Sequence, residues 1–165
     1  MDKAEYILTH YNELKGDLEM LKYRLENFKP VTENEVIGSL VFERSDEPKV
    51  TSTPTNLRSE VIALSFRDKM IQENEELLAD LTQRYIRLAN DLDNFEMAIR
   101  FLKDDLAEFA QEMLKPECNW DSLMREFHIS RSTVRNWRRK VLDHVRGVYL
   151  KMGYSLENNL PLHSP

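Results

Sequence analysis

Apolar residues recur along this chain at alternating steps of three and four, the spacing of one helix face. Over residues 2–28, Ile7, Tyr11, Leu14, Leu18, Leu21, Leu25 and Phe28 hold that step, with Glu and Lys around them. This predicts an N-terminal helix over 1–28 carrying a heptad seam, ended by Pro30. Residues 29–56 lose the pattern. They hold Pro30, Pro48, Pro54 and a Thr/Ser cluster, and read as a connector. Within it, Val36, Ile37, Leu40, Val41 and Phe42 form a short apolar run, either a strand or a segment docked on helices.

Thr55 or Asn56 can cap the next helix, and 57–98 reads as a long oligomerisation helix. Its seam runs through Leu78, Leu81, Tyr85, Leu88, Leu92, Phe95 and Ile99, then on through Leu102, Leu106, Phe109 and Met113. Traced backwards it takes in Asn74 and Ile71, and a buried Asn there could set register. An unbroken helix over 57–114 would be about 87 Å long at about 1.5 Å per residue. A break is therefore expected, with Asn90–Asn94 as the candidate. Ile99–Met113 is then expected to be the first helix of a C-terminal domain, closed by Pro116. The two seams need cover, from each other within one chain or from a second copy. The long helix carries more seam than the first can cover, which favours a homodimer.

Residues 120–148 repeat the helical spacing in a different setting. The stretch WDSLMREFHISRSTVRNWRRKVLDHVRGV reads as a short helix, a tight turn and a second helix. Ser130 is positioned as N-cap, with Ile129 and Val134 where a hydrophobic staple sits. Val134, Trp137, Val141, Val145 and Val148 share one face. Ser132, Arg135, Asn136 and Arg139 project from the other. The layout is that of a helix-turn-helix, and residues 99–151 are expected to form that domain, with 152–165 as a tail. The fold class read from the chain is therefore all-α: long heptad-patterned helices, as coiled coil or helical hairpin, plus a C-terminal helix-turn-helix domain.

A solvated surface helix would share this periodicity, and charge separates the two readings. Residues 131–151 hold seven cations against Asp143 alone, a net +6, whereas a solvated helix more often mixes its signs. The whole chain is −6 over 165 residues, but 115–153 is +5 and 1–114 is −10. A basic module on an acidic body points to double-stranded DNA met by one end only. In that reading Arg135, Asn136 and Arg139 face base edges, Arg to guanine and Asn to adenine. Arg131, Ser132, Thr133, Arg138 and Lys140 hold phosphates. Trp137 on the apolar stripe and Trp120 at the first helix are expected in the core rather than stacked on bases.

Little else in the chain carries chemistry. His10, His128, His144 and His163 have no metal-ligand spacing, and no metal or cofactor is expected. Cys118 alone excludes an internal disulfide and reads as a packed residue. Asp91-Leu92-Asp93-Asn94 lacks the Gly of a calcium loop. No Gly-rich phosphate loop, GxSxG or HExxH is present, so no enzyme is expected. Four Gly in all suit helices. There is no membrane-length apolar run and no signal-peptide core at the N-terminus, so a cytoplasmic protein is expected.

The pattern Trp120-x-x-Leu123-Met124-x-x-Phe127-x-Ile129-Ser130-x-x-Thr133-Val134 resembles the C-terminal helix-turn-helix of sigma factors. With the N-terminal helix, Thr/Pro-rich connector and long heptad helix, the layout resembles phage and prophage late-gene transcription regulators of the ArpU/RinA/LtrC type. The chain departs from that family at Met113-Leu114-Lys115-Pro116, where an Arg-Tyr pair precedes a Gly-containing turn, and at Met124, where a small residue is usual. The resemblance implies a DNA-binding activator of late operons. The acidic body is expected to dimerise or to contact RNA polymerase. Two other readings fit the layout: a phage small terminase subunit, which would form a large ring, and a purely structural coiled-coil protein.

Overall fold

A computed structural model of the chain describes residues 1–30 and 55–157. All regular structure among these residues is helical, with no strand. The helices are α1 (Lys3–Glu26), α2 (Thr55–Arg100), α3 (Asp105–Met113), α4 (Trp120–Glu126) and α5 (Arg131–Met152). The connector's apolar run and the tail beyond 157 lie outside the described residues. No described helix is long and apolar enough to cross a membrane.

The chain divides into two compact units. One joins Met1–Leu21 to the chain from Tyr85 onward, and the other is Lys22–Arg84. In the first unit, residues distant in sequence share one core. Ala4, Ile7 and Leu14 of α1 are buried together with Leu92, Phe95 and Ile99 of α2, Phe109 of α3, Leu123 of α4, and Val134, Val141 and Val145 of α5. Polar contacts hold α1 to α2: Tyr11 donates to Glu96 at 2.7 Å, Lys15 pairs with the same carboxylate at 2.7 Å, and Lys3 pairs with the buried Asp91. The first seam and the C-terminal half of the second therefore cover each other within one chain. His10 interrupts α1 with a non-helical φ of −111° and ψ of 20°, and its Nδ1 lies 3.0 Å from the Tyr6 carbonyl oxygen.

Among the described residues of the second unit, side chains one turn apart pair: Lys22–Glu26 at 3.9 Å, Arg84–Asp80 at 2.9 Å and Gln72 to Glu76 at 2.8 Å. Of the seam here, Ile71 is 52% and Leu78 42% exposed, while Asn74 and Leu81 are half-buried.

The break in the long helix falls later than its composition indicates. Asn90–Asn94 lies inside the continuous α2, and the helix ends at Arg100. The expected single helix over Ile99–Met113 is interrupted at 101–104, where Asp104 adopts φ 54° and ψ −145° before α3 begins. Leu102 stays buried within this turn. The seam thus keeps its spacing across the break, and periodicity alone does not reveal it.

Candidate nucleic-acid interface

The capping residues set the angle at which α5 leaves the turn. Asn119 and Ser122 start α4 with a reciprocal box: Ser122 N–H donates to Asn119 Oδ1 at 2.8 Å, and Asn119 N–H to Ser122 Oγ at 3.0 Å. The turn after α4 passes through His128 at φ 51°, in the left-handed region. Ile129 N–H closes it onto the Met124 carbonyl at 3.1 Å. Ser130 then caps α5, accepting from Thr133 N–H at 3.3 Å. At the far end Gly153, at φ 73°, lets Tyr154 N–H reach the Tyr149 carbonyl at 2.8 Å. This is the left-handed helix stop that glycine permits.

Three aromatic rings lock α5 beneath this turn. Phe109, Phe127 and Trp137 meet edge to face, with centroids 5.5, 5.3 and 6.0 Å apart. Each such pair contributes about 0.5–1.5 kcal/mol beyond its buried area. Trp137 is therefore half-buried and packed against the core, on the side its place on the stripe indicates. Trp120 is not. It is 37% exposed, and the Arg131 guanidinium lies over its ring at 5.6 Å. The pair ties the start of α4 to the start of α5 by a cation–π contact.

With Val134, Val141, Leu142, Val145 and Tyr149 buried, the opposite face of α5 is open. Arg135, Asn136, Arg139 and Lys140 are all exposed there. None of them has an ion pair or side-chain hydrogen bond among the described residues. Ser132 and Thr133 sit at the N-terminus of α5, their hydroxyls 2.8 and 2.9 Å from Ser130 Oγ. Arg138 stands apart: it pairs with Glu5 at 3.4 Å and donates to Thr9 at 3.3 Å, both on α1. Arg146 is likewise held, by Asp2 at 2.6 Å and Asp143 at 3.0 Å. Of the seven cations between 131 and 151, these two are neutralised by carboxylates.

The sequence reading missed this acidic edge. Asp2, Glu5 and Thr9 lie about 130 or more positions from the arginines they meet, and no local pattern links them. Burial tends to raise the Asp2 carboxyl, but the Glu5 N–H and the Arg146 guanidinium hold it below the usual carboxylate range. Cys118 is half-buried, and burial pushes its thiol up, so it stays protonated. No group of three or more His, Cys, Asp or Glu among the described residues is placed to hold a metal ion. Compared with protein families, curated proteins and solved structures, the chain matches none of them.

Proposed function

We propose that this chain is a sequence-specific, double-stranded-DNA-binding transcription regulator, with α4, the turn and α5 acting as a helix-turn-helix. The observation that carries this reading is the open face of α5. Arg135, Asn136 and Arg139 stand exposed and unpaired on a helix whose other face is fixed in the core. A helix of this kind enters the major groove, and these side chains are the types that bond guanine and adenine edges. Arg131, Ser132, Thr133 and Lys140 would take phosphates, three of them around the N-terminus of α5, where free N–H groups favour anions. Arg138 would reach a phosphate only by leaving Glu5.

The family resemblance extends the reading to activation of phage or prophage late genes, and the acidic body would dimerise or meet RNA polymerase. Dimer formation fits the exposed seam residues Ile71 and Leu78, since a second copy would cover them and two copies would read paired half-sites. Selection of bound duplexes from a random library by the full-length chain tests the proposal. The expected result is one enriched sequence, arranged as two related half-sites. Recovery of duplexes with no sequence preference would contradict it.

A further inference from the structure

The two flanks of α5 differ in sign. At 3.6 residues per turn, Arg138 and Arg146 fall on one side of the Asn136–Arg139 face, where Asp2 and Glu5 occupy them. Lys140 and His144 fall on the other. There they line a groove of about 440 Å³ with Phe101, Leu102, Lys103, Asp104 and Leu106, the turn between α2 and α3 and the first residues of α3. Lys103 and Lys140 are exposed and have no ion pair among the described residues. His144 Nε2 is buried without a hydrogen-bond partner. Asp104 makes no side-chain cap bond, and its carbonyl accepts from the Ala107 N–H at 2.9 Å. Two lysines without ion pairs thus line one groove, with Asp104 beside them and Asp105 and Glu108 in the first turn of α3.

Building on the DNA reading above, we propose that this groove seats a backbone phosphate of the duplex, flanking the bases that α5 reads. Lys103 and Lys140 supply the charge that holds it. The Phe101–Asp104 turn is then part of the DNA interface, and the protein grips the backbone on its Lys140 flank while the Glu5 flank stays off it. The grip is independent of sequence, because it touches no base.

The test is the salt dependence of duplex binding by the full-length chain and its Lys103→Ala variant. Losing one phosphate contact flattens the slope of log K against log salt by about 0.9 and lowers affinity about fivefold near 0.15 M salt, on specific and scrambled duplexes alike. Asp104→Asn removes the opposing carboxylate and is expected to tighten binding to both. Unchanged thermal unfolding of the two variants shows that the fold is intact. If Lys103→Ala keeps the parent slope while Lys140→Ala flattens it, the groove holds no phosphate, although α5 still binds DNA. If the parent chain binds no duplex at all, the DNA reading and this inference fall together.

Discussion

His128 carries backbone strain at the turn that aims α5. Its φ of 51° is adverse for any residue with a Cβ, by about 1–2 kcal/mol. Glycine would relieve that strain while losing about 0.5–1 kcal/mol to chain entropy. His128→Gly is therefore expected to stabilise the fold by about 0.5–1 kcal/mol in urea unfolding, and a loss of stability would mean that the imidazole is held by contacts stronger than the strain. Tyr149 presents the opposite case. It is 1% exposed, its hydroxyl has no hydrogen-bond partner, and burial drives its phenol far above the usual range, with Asp91 adding to the effect. Tyr149→Phe keeps the ring, which meets Tyr154 at 5.8 Å, and removes a buried polar atom. A gain of about 1 kcal/mol is expected, and a loss in calorimetry would show that the hydroxyl is bonded in solution. At this scale the sequence marked Ser130, the valine stripe and the exposed Arg135, Asn136 and Arg139, because caps and helix faces are local. It did not mark the strain at His128, since a histidine in the left-handed region looks like any other histidine, nor the exposure of Trp120, which depends on where Arg131 falls.

Among the elements, α1 has the role least visible from its own residues. Its seam is legible as a helix, but its burial against α5 depends on contacts far along the chain. Ile7 is 0% exposed, so Ile7→Ala is expected to cost about 2–5 kcal/mol, measured as loss of the cooperative unfolding transition of the whole first unit. A normal transition would show that α1 folds apart from the helices around α5. The acidic contacts of α1 give a second check. Burial raises both carboxyls, but Lys15 and Tyr11 bring Glu96 below its ordinary 4.5, and the Glu5 N–H and Arg146 bring Asp2 below 3.8. A carboxyl lowered on folding stabilises the fold fully above its unfolded value and loses that contribution as pH falls through its folded value. Urea midpoints are therefore expected to hold level above about pH 5 and to decline from about pH 4.5 downward. Glu96→Gln should flatten part of that decline, and an equal decline in the variant would remove Glu96 from the account. The helix break at 101–104 escaped the sequence for the same physical reason as the docking of α1. Leu102 is buried between Ile99 and Leu106, so the three-and-four spacing continues where the backbone does not.

Across the whole molecule, charge is divided along the chain, acidic over 1–114 and basic over 115–153. The −10 of residues 1–114 is legible in composition, but its use is not. Two of its carboxylates hold Arg138 and Arg146, leaving Arg131, Arg135, Arg139, Lys140 and Lys151 without an anion partner among the described residues. The proposed interface is thus narrower than the seven cations imply, centred on Asn136 and Arg139 and limited on one side by α1. Glu5→Gln frees Arg138 and is expected to raise affinity for all duplexes by a few fold while making binding more salt-dependent, since one more counterion is released. No change in slope would place Arg138 outside the reach of DNA.

The central claim is that α5 reads bases. Titration of the full-length chain and its Arg135→Ala variant against the selected duplex and a scrambled one, at a fixed salt concentration, tests it most directly. Base reading predicts that the variant loses about 1–3 kcal/mol on the selected duplex and far less on the scrambled one. Equal losses on both duplexes would contradict it and leave α5 as a helix that holds DNA without reading it.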